Sequence, residues 1–166
     1  MKILIAAISL VLMGAFIACG DDDNSASNTP RASTAATTPA TTTTADTVDV
    51  ALQEWSINPS VLTIGAGATT FTVKNTGPQF KHEFVVLKTD LAPAALPKQA
   101  DGTVDEEGAG VTSPGEIADI PIGEQQTTTI DLTPGKYLFI CNLVDQDTNG
   151  TELHFTNGMF RAFTVQ

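Results

Sequence analysis

Short runs in which apolar and polar residues alternate recur from about residue 48 to the end of the chain. Residues 48–55, 69–75 and 126–132 alternate clearly, and Gly, Pro or Asn residues separate the runs. A period of two is typical of strands with one buried face. Further short apolar runs that contain β-branched or aromatic residues cover 61–64, 82–87, 137–141 and 160–165. The pattern predicts an all-β, Greek-key β-sandwich of about seven strands, without an amphipathic helix.

Residues 88–124 do not follow this pattern. They contain no clear strand, so they predict a connection that is long for a compact domain. Within it, residues 92–96 are expected to form a helical turn between prolines, and residues 115–120 an edge of the sandwich. Residues 101–110 combine four acidic residues with several glycines and predict mobile surface, with Glu106 and Glu107 in solvent.

The N-terminus has the composition of a targeting signal. Lys2 precedes an apolar stretch, residues 3–17, that is too short for a stable transmembrane helix. The following Ala18-Cys19 resembles the lipobox of bacterial lipoproteins, which implies a signal peptide at 1–18 and an acylated Cys19. The resemblance implies an exported, membrane-anchored lipoprotein that faces the periplasm or the cell exterior. Ordinary secretory cleavage that discards Cys19 is the alternative.

Residues 19–47 are rich in Thr, Ala, Ser, Asp and Pro and poor in large apolar side chains. Such a composition cannot bury enough surface to offset the entropy of ordering, so it predicts a lipid-anchored, disordered linker before a domain at 48–166. The formal net charge of −11 argues against a nucleic-acid partner. We expect a monomer.

The soft metal donors of the chain are few. It contains two His, two Cys and three Met residues. With Cys19 in the anchor and two Met residues in the signal, the donors that remain are His82, Cys141, His154 and Met159. Each alone fits a core or surface position, and a disulfide between Cys19 and Cys141 is an alternative for the thiol. Together, however, two imidazoles, a thiolate and a thioether are the ligand set of blue copper, whereas zinc prefers four strong ligands.

The segments that carry these donors resemble the cupredoxins, the small blue type 1 copper proteins such as plastocyanin and azurin. The matching segments are HEFVV at 82–86, GKYLFICN at 135–142, HFTNGM at 154–159 and FTV at 163–165. The resemblance covers residues 48–166. It implies one type 1 copper, with His82, Cys141 and His154 in a trigonal plane and Met159 as the weak axial ligand.

Two features depart from the family pattern. Twelve residues, 142–153, separate Cys141 from His154, where many small cupredoxins have fewer. The polar, glycine-containing insert QDTNGTE at 146–152 predicts a bulge in the ligand loop. Glu83 follows the first histidine, where the family often has an Asn that joins two ligand loops. We expect Asn142 to brace the site, and Trp55 and Tyr137 to belong to the core.

The expected function is that of a one-electron carrier that cycles between Cu(I) and Cu(II) with redox partner proteins. Phe155 and Phe160 are expected to supply an apolar docking patch near His154. A module for copper delivery or storage is the main alternative, and a metal-free Ig-like binding domain is another. We expect no enzyme, because Ile140 and Asn142 flank Cys141 and no further histidines remain to hold more copper ions.

Overall fold

The computed structural model describes residues 46–148 and 150–166. The signal peptide, Cys19 and nearly all of the linker therefore lie outside the described residues. The described chain falls within one unit, Ala40–Gln166. It contains no α-helix, and none of its helical turns is long and apolar enough to cross a membrane.

Eleven strands form in the described residues. In chain order they are β1 (Asp46–Gln53), β2 (Ser56–Pro59), β3 (Thr63–Ile64), β4 (Gly67–Asn75), β5 (His82–Thr89), β6 (Val111–Ile120), β7 (Gln125–Leu132), β8 (Gly135–Ile140), β9 (Val144–Asp147), β10 (Gly150–Leu153) and β11 (Phe160–Val165). Four of them form one sheet in the order β2-β1-β4-β7, and five form a second sheet in the order β3-β11-β8-β5-β6. Strands β9 and β10 form a separate hairpin. The predicted all-β sandwich is confirmed.

Aromatic rings join the two sheets. Phe71 on β4 lies with its ring centroid 5.3 Å from Phe84, 5.5 Å from Phe139 and 6.4 Å from Phe163. All four rings are buried. Because the three partners belong to β5, β8 and β11, this cluster fixes the second sheet against the first, and tilted or edge-on ring pairs add to the burial term.

Strands β5 and β8 are buried on both faces, which explains why their sequences are almost continuously apolar. On β5, Phe84 packs into the core between the sheets, while Val85 packs into a second cluster on the outer face. On β8, Phe139 and Leu138 divide in the same way. The connection after β5 covers this outer face with Leu96 and Val104.

The prediction of no clear strand in residues 88–124 was wrong. Strand β6 begins at Val111 and pairs with β5 along most of its length. Its sequence contains Pro114 and Gly115, which weaken any strand signal. A proline is tolerated there because β6 lies at the edge of its sheet, where one side of the strand makes no backbone ladder. The expected edge at 115–120 is the second half of this strand, and the helical turn expected at 92–96 is present as a 3-10 turn, Pro93–Ala95.

Residues 101–110 form packed structure, contrary to the prediction of mobile surface. Val104 is fully buried and pairs with Lys98 through an isolated β-bridge. The backbone N–H of Asp105 donates to the carbonyl of Pro97. The segment therefore lies against the second sheet, close to the end of β8.

Candidate metal centre

Three of the four candidate donors form one buried cluster. The donor atoms of His82, Cys141 and His154 all lie within 4.8 Å of one another. His82 begins β5, and Cys141 directly follows β8. Because alternate residues of a strand share a face, His82 points inward with Phe84, and Cys141 points inward with Phe139. The strand period thus brings both donors to the same end of the core.

The two imidazoles approach each other and the thiol through Nδ1. The two Nδ1 atoms are 3.3 Å apart, and Cys141 Sγ lies 3.2 Å from Nδ1 of His154 and 3.9 Å from Nδ1 of His82. A triangle with these sides has its centre about 2 Å from each corner, which is a typical bond length between a divalent first-row metal and imidazole. The three side chains are therefore spaced to hold a single ion without rearrangement of the backbone.

The loop that carries the other donors is closed by its own hydrogen bonds. The N–H of Met159 donates to the carbonyl of His154 at 3.0 Å, and the N–H of Cys141 donates to the carbonyl of Met159 at 3.1 Å. The turn passes through Gly158, whose φ of 106° favours glycine. Met159 is fully buried beside the cluster. The spacing between His154 and Met159 in the sequence thus corresponds to one closed turn.

The interval between Cys141 and His154 contains a hairpin, here called the insert hairpin, and not the predicted bulge. Strands β9 and β10 pair from Leu153↔Val144 to Gly150↔Asp147. At its base, the N–H of His154 donates to the carbonyl of Leu143 at 3.1 Å. The hairpin therefore lengthens the chain between Cys141 and His154 without moving the two donors apart.

Glu83 joins the two ligand segments, in the position where the family often has an Asn. Its carboxylate accepts the backbone N–H of Asn142 at 2.7 Å, and its own N–H points to Cys141 Sγ at 3.3 Å. Burial raises the pKa of Glu83 to about 7. The structure thus shows a carboxyl group that accepts a hydrogen bond across the site.

The side chain of Asn142 braces the site from outside, as expected. Its Oδ1 accepts the N–H of Val104 at 2.7 Å, and its Nδ2 donates to the carbonyl of Val104 at 3.0 Å and to Glu106 Oε1 at 2.9 Å. Glu106 is therefore half-buried and hydrogen-bonded, which corrects the prediction that it lies in solvent. Its neighbour Glu107 is exposed, as predicted.

Burial keeps the donors uncharged in the metal-free protein. Burial, together with repulsion by His154, lowers the pKa of His82 to about 4. Burial also lowers the pKa of His154, although Asp145 opposes the shift. Burial raises the pKa of the Cys141 thiol to about 12. At neutral pH both imidazoles therefore offer lone pairs, and a metal ion has to displace the thiol proton as it binds.

Two carboxylates lie outside the cluster, next to the far nitrogens of the imidazoles. Asp145 Oδ2 is 3.1 Å from Nε2 of His154, and Glu54 Oε1 is 3.7 Å from Nε2 of His82. Burial works to raise the pKa of Glu54, but the N–H groups of Phe80 and Gln79 outweigh it and hold that pKa below its ordinary value. Neither residue could be recognised from the sequence, because acidic residues in polar turns and hairpins usually face solvent.

Aromatic side chains cover His154. The ring centroid of Trp55 lies 4.8 Å from that of His154, and the ring of Phe80 lies 5.6 Å from it. Trp55 is partly buried against the core and also covers the site, whereas Tyr137 is a core residue as predicted. His154 itself is fully buried.

The two phenylalanines of the expected docking patch differ in exposure. Phe155 is buried, with Lys98 Nζ 3.8 Å from its ring centroid, whereas Phe160 remains 37% exposed. The two rings are in contact, with centroids 5.4 Å apart. Of the pair, Phe160 is the one that presents a ring to solvent.

The pH dependence of stability tests the burial of Glu106. Burial, with a contribution from the charge of Glu116, raises its pKa above the ordinary value of 4.5. A raised carboxyl pKa stabilises the fold most below pH 4.5, and this contribution is lost as the pH rises through the folded-state pKa. We therefore expect Glu106→Gln to become more stable relative to the wild type as the pH rises above 4.5.

The measurement is urea unfolding of the metal-free protein at a series of pH values. Glu107→Gln, which removes a charge from the exposed neighbour, is the matched control. A difference between Glu106→Gln and wild type that stays constant with pH would contradict the burial of Glu106.

Comparison with known proteins identifies the class of this domain. The model of the cupredoxin-like domain matches residues 30–151, which is more than half of the chain. The chain therefore belongs to the cupredoxin-like domain family. The match ends before His154 and Met159, so the placement of these two residues next to Cys141 comes from the structure.

Solved structures share the fold at low sequence identity. Reduced auracyanin from Roseiflexus castenholzii is 22% identical, with a TM-score of 0.54 over 74% of this chain and 98% of that chain. Rusticyanin from Thiobacillus ferrooxidans is 18% identical, with a TM-score of 0.51 over 74% of this chain and 79% of that chain. Auracyanin A from Chloroflexus aurantiacus, described as a "blue" copper protein, is 20% identical, with a TM-score of 0.50 over 72% of this chain and 98% of that chain. No curated protein matches the sequence.

Proposed function

We propose that this protein is an exported, membrane-tethered type 1 copper protein that carries single electrons and is not an enzyme. The observation that carries the proposal is the buried cluster of His82, Cys141 and His154, in which two Nδ1 atoms and one Sγ are spaced for one ion. The buried Met159 completes a donor set that is typical of type 1 copper. The similarity to auracyanin A, a blue copper protein, supports the same conclusion.

The donor set fits copper better than zinc. His82, Cys141 and His154 would hold the ion, and the thioether of Met159 would be a further, weak donor. A thioether is a poor ligand for zinc, which favours four strong donors, whereas thiolate and thioether stabilise Cu(I) and imidazole suits both oxidation states. When bound, copper supplies one-electron chemistry between Cu(I) and Cu(II).

The surrounding residues hold the donors in one arrangement. Glu83 fixes the backbone of Asn142 next to the thiol, and the closed turn at Gly158 fixes His154 relative to Met159. Trp55 and Phe80 cover the imidazole of His154 and exclude water from it. A carrier of this kind needs donors that move little between the two oxidation states, and a buried, hydrogen-bonded cluster between packed sheets meets this requirement.

Addition of Cu(II) to the metal-free protein tests the proposal. We expect one equivalent to bind, an intense visible absorption band to appear, and the band to vanish and return on reduction and reoxidation. Rapid loss of the copper to a weak chelator would favour delivery or storage of copper instead. The absence of an intense band would contradict a type 1 site.

The tether is a separate part of the proposal. It rests on the apolar stretch and the lipobox-like Ala18-Cys19 of the sequence. We expect the protein, produced in a bacterial host, to partition with the membrane and to incorporate a labelled fatty acid, and Cys19→Ala to lose the label. A wild-type protein without label would remove the lipid anchor and leave the copper site unaffected.

Redox partners are expected to dock at an exposed apolar side chain that adjoins a metal donor in the chain. Phe160 follows Met159 directly and is the exposed member of the Phe155–Phe160 pair. We therefore place the docking surface around Phe160.

A further inference from the structure

The insert hairpin between Cys141 and His154 carries a carboxylate that faces the far side of the histidine. Asp145 lies on β9, the first strand of the insert hairpin, and its Oδ2 is 3.1 Å from Nε2 of His154. Both atoms are fully buried, and neither has a hydrogen bond of good geometry within the described residues. A buried polar atom without a partner is destabilising, so two such atoms in contact favour a small rotation that aligns them in a hydrogen bond.

The orientation of the imidazole determines what this contact does. Nδ1 of His154 points into the cluster, towards Cys141 Sγ and Nδ1 of His82. When Nδ1 binds a metal ion, the ring keeps its proton on Nε2, and that N–H then faces Asp145. A carboxylate that accepts a hydrogen bond from this N–H fixes the tautomer and the ring orientation. It also makes the imidazole a stronger electron donor.

We propose that Asp145 is a positioning residue that accepts a hydrogen bond from Nε2–H of His154 and thereby favours Cu(II) over Cu(I) at the site. The inference rests on the proposed copper function. The negative charge of Asp145, close to the cluster and partly shielded from water, stabilises the higher charge of Cu(II). The insert hairpin that lengthens the ligand loop would then also supply the residue that adjusts the potential of the site.

Glu54 provides an internal comparison. Its Oε1 lies farther from its histidine, 3.7 Å from Nε2 of His82, and it already accepts the N–H groups of Phe80 and Gln79. We therefore expect Glu54 to influence the copper less than Asp145 does.

The test compares Cu(II) and Cu(I) affinities of the holoprotein. Loss of a residue that orients a ligand typically weakens metal binding roughly 10- to 100-fold. We expect Asp145→Asn to lose about tenfold or more in Cu(II) affinity and less in Cu(I) affinity. One electron is transferred, so a tenfold fall in the ratio of the Cu(II) affinity to the Cu(I) affinity raises the reduction potential by about 59 mV. Asp145→Glu, which keeps the charge, should recover most of the change.

A matched control separates this contact from a general loss of charge. Asp131→Asn removes one exposed carboxylate from β7 in the other sheet. If Asp145→Asn and Asp131→Asn shift the potential equally, the proposal is overturned while the copper site stands. If the wild-type protein itself shows no copper-thiolate band, the proposed function fails instead.

A second measurement needs no variant, in case Asp145→Asn does not fold. Exchange of the Nε2 proton of His154 with solvent can be followed by NMR in the Cu(I) protein. We expect that proton to be protected, because it is buried and bound to a carboxylate. Exchange as fast as that of free imidazole would overturn the proposal.

Discussion

Replacement of Cys141 by serine is expected to abolish the intense visible absorption of the copper-loaded protein. The band of a type 1 site belongs to the copper–thiolate bond, and no other cysteine lies in the described residues. Cu(II) affinity should fall by more than about 100-fold, since changes outside the ligand set alone already reach that range. Absorption spectra and a competition assay with a copper chelator measure the two effects.

Met159→Leu is the matched control for this variant. The swap nearly conserves volume at a buried position, so it should cost less than about 1.5 kcal/mol of stability. Because a thioether is a weak ligand, this variant should keep the intense band and change mainly the potential. A Cys141→Ser protein that stays intensely coloured would show that the thiol is not a ligand.

Replacement of Phe71 by alanine is expected to cost about 3–5 kcal/mol in the free energy of unfolding. Its ring is fully buried and contacts Phe84, Phe139 and Phe163 from the opposite sheet, so its loss leaves a cavity where the two sheets meet. A domain of this size is typically stable by about 5–15 kcal/mol, so the variant should lose a large part of its stability. Urea unfolding of the metal-free protein provides the measurement.

Phe160→Ala removes the same side chain from a position that is 37% exposed. It should cost about 1 kcal/mol, because less apolar surface returns to water and no closed cavity forms. Equal losses in the two variants would mean that the aromatic cluster around Phe71 does not hold the sheets together.

The sheets and their core could be predicted from the sequence because their signal is local. A period of two marks β1, β4 and β7 directly, and the continuous apolar runs of β5 and β8 mark strands that are buried on both faces. The first half of strand β6 escaped prediction because an edge strand tolerates Pro114 and leaves many of its side chains exposed. The insert hairpin escaped it because both of its strands are polar.

The sequence also limited the possible soft donors, since His82, Cys141, His154 and Met159 are the only His, Cys and Met residues in the described part of the chain. It placed two of them at strand ends, where the strand period decides which way they point. It could not show the distances between them, because residues 82 and 154 meet only when two strands and a loop have packed.

By itself, then, the sequence determined the class of fold and the donor types, because both depend on residue type and local spacing. Only the tertiary structure decided what surrounds the donors. The packing of distant segments gives Glu83 and Asn142 the hydrogen bonds that brace the site, and it leaves Glu106 half-buried. It also brings Asp145 to the far side of His154. The physical reason is that a carboxylate in a polar stretch has the same local pattern whether it faces water or a buried imidazole, and only the packing of distant segments distinguishes the two.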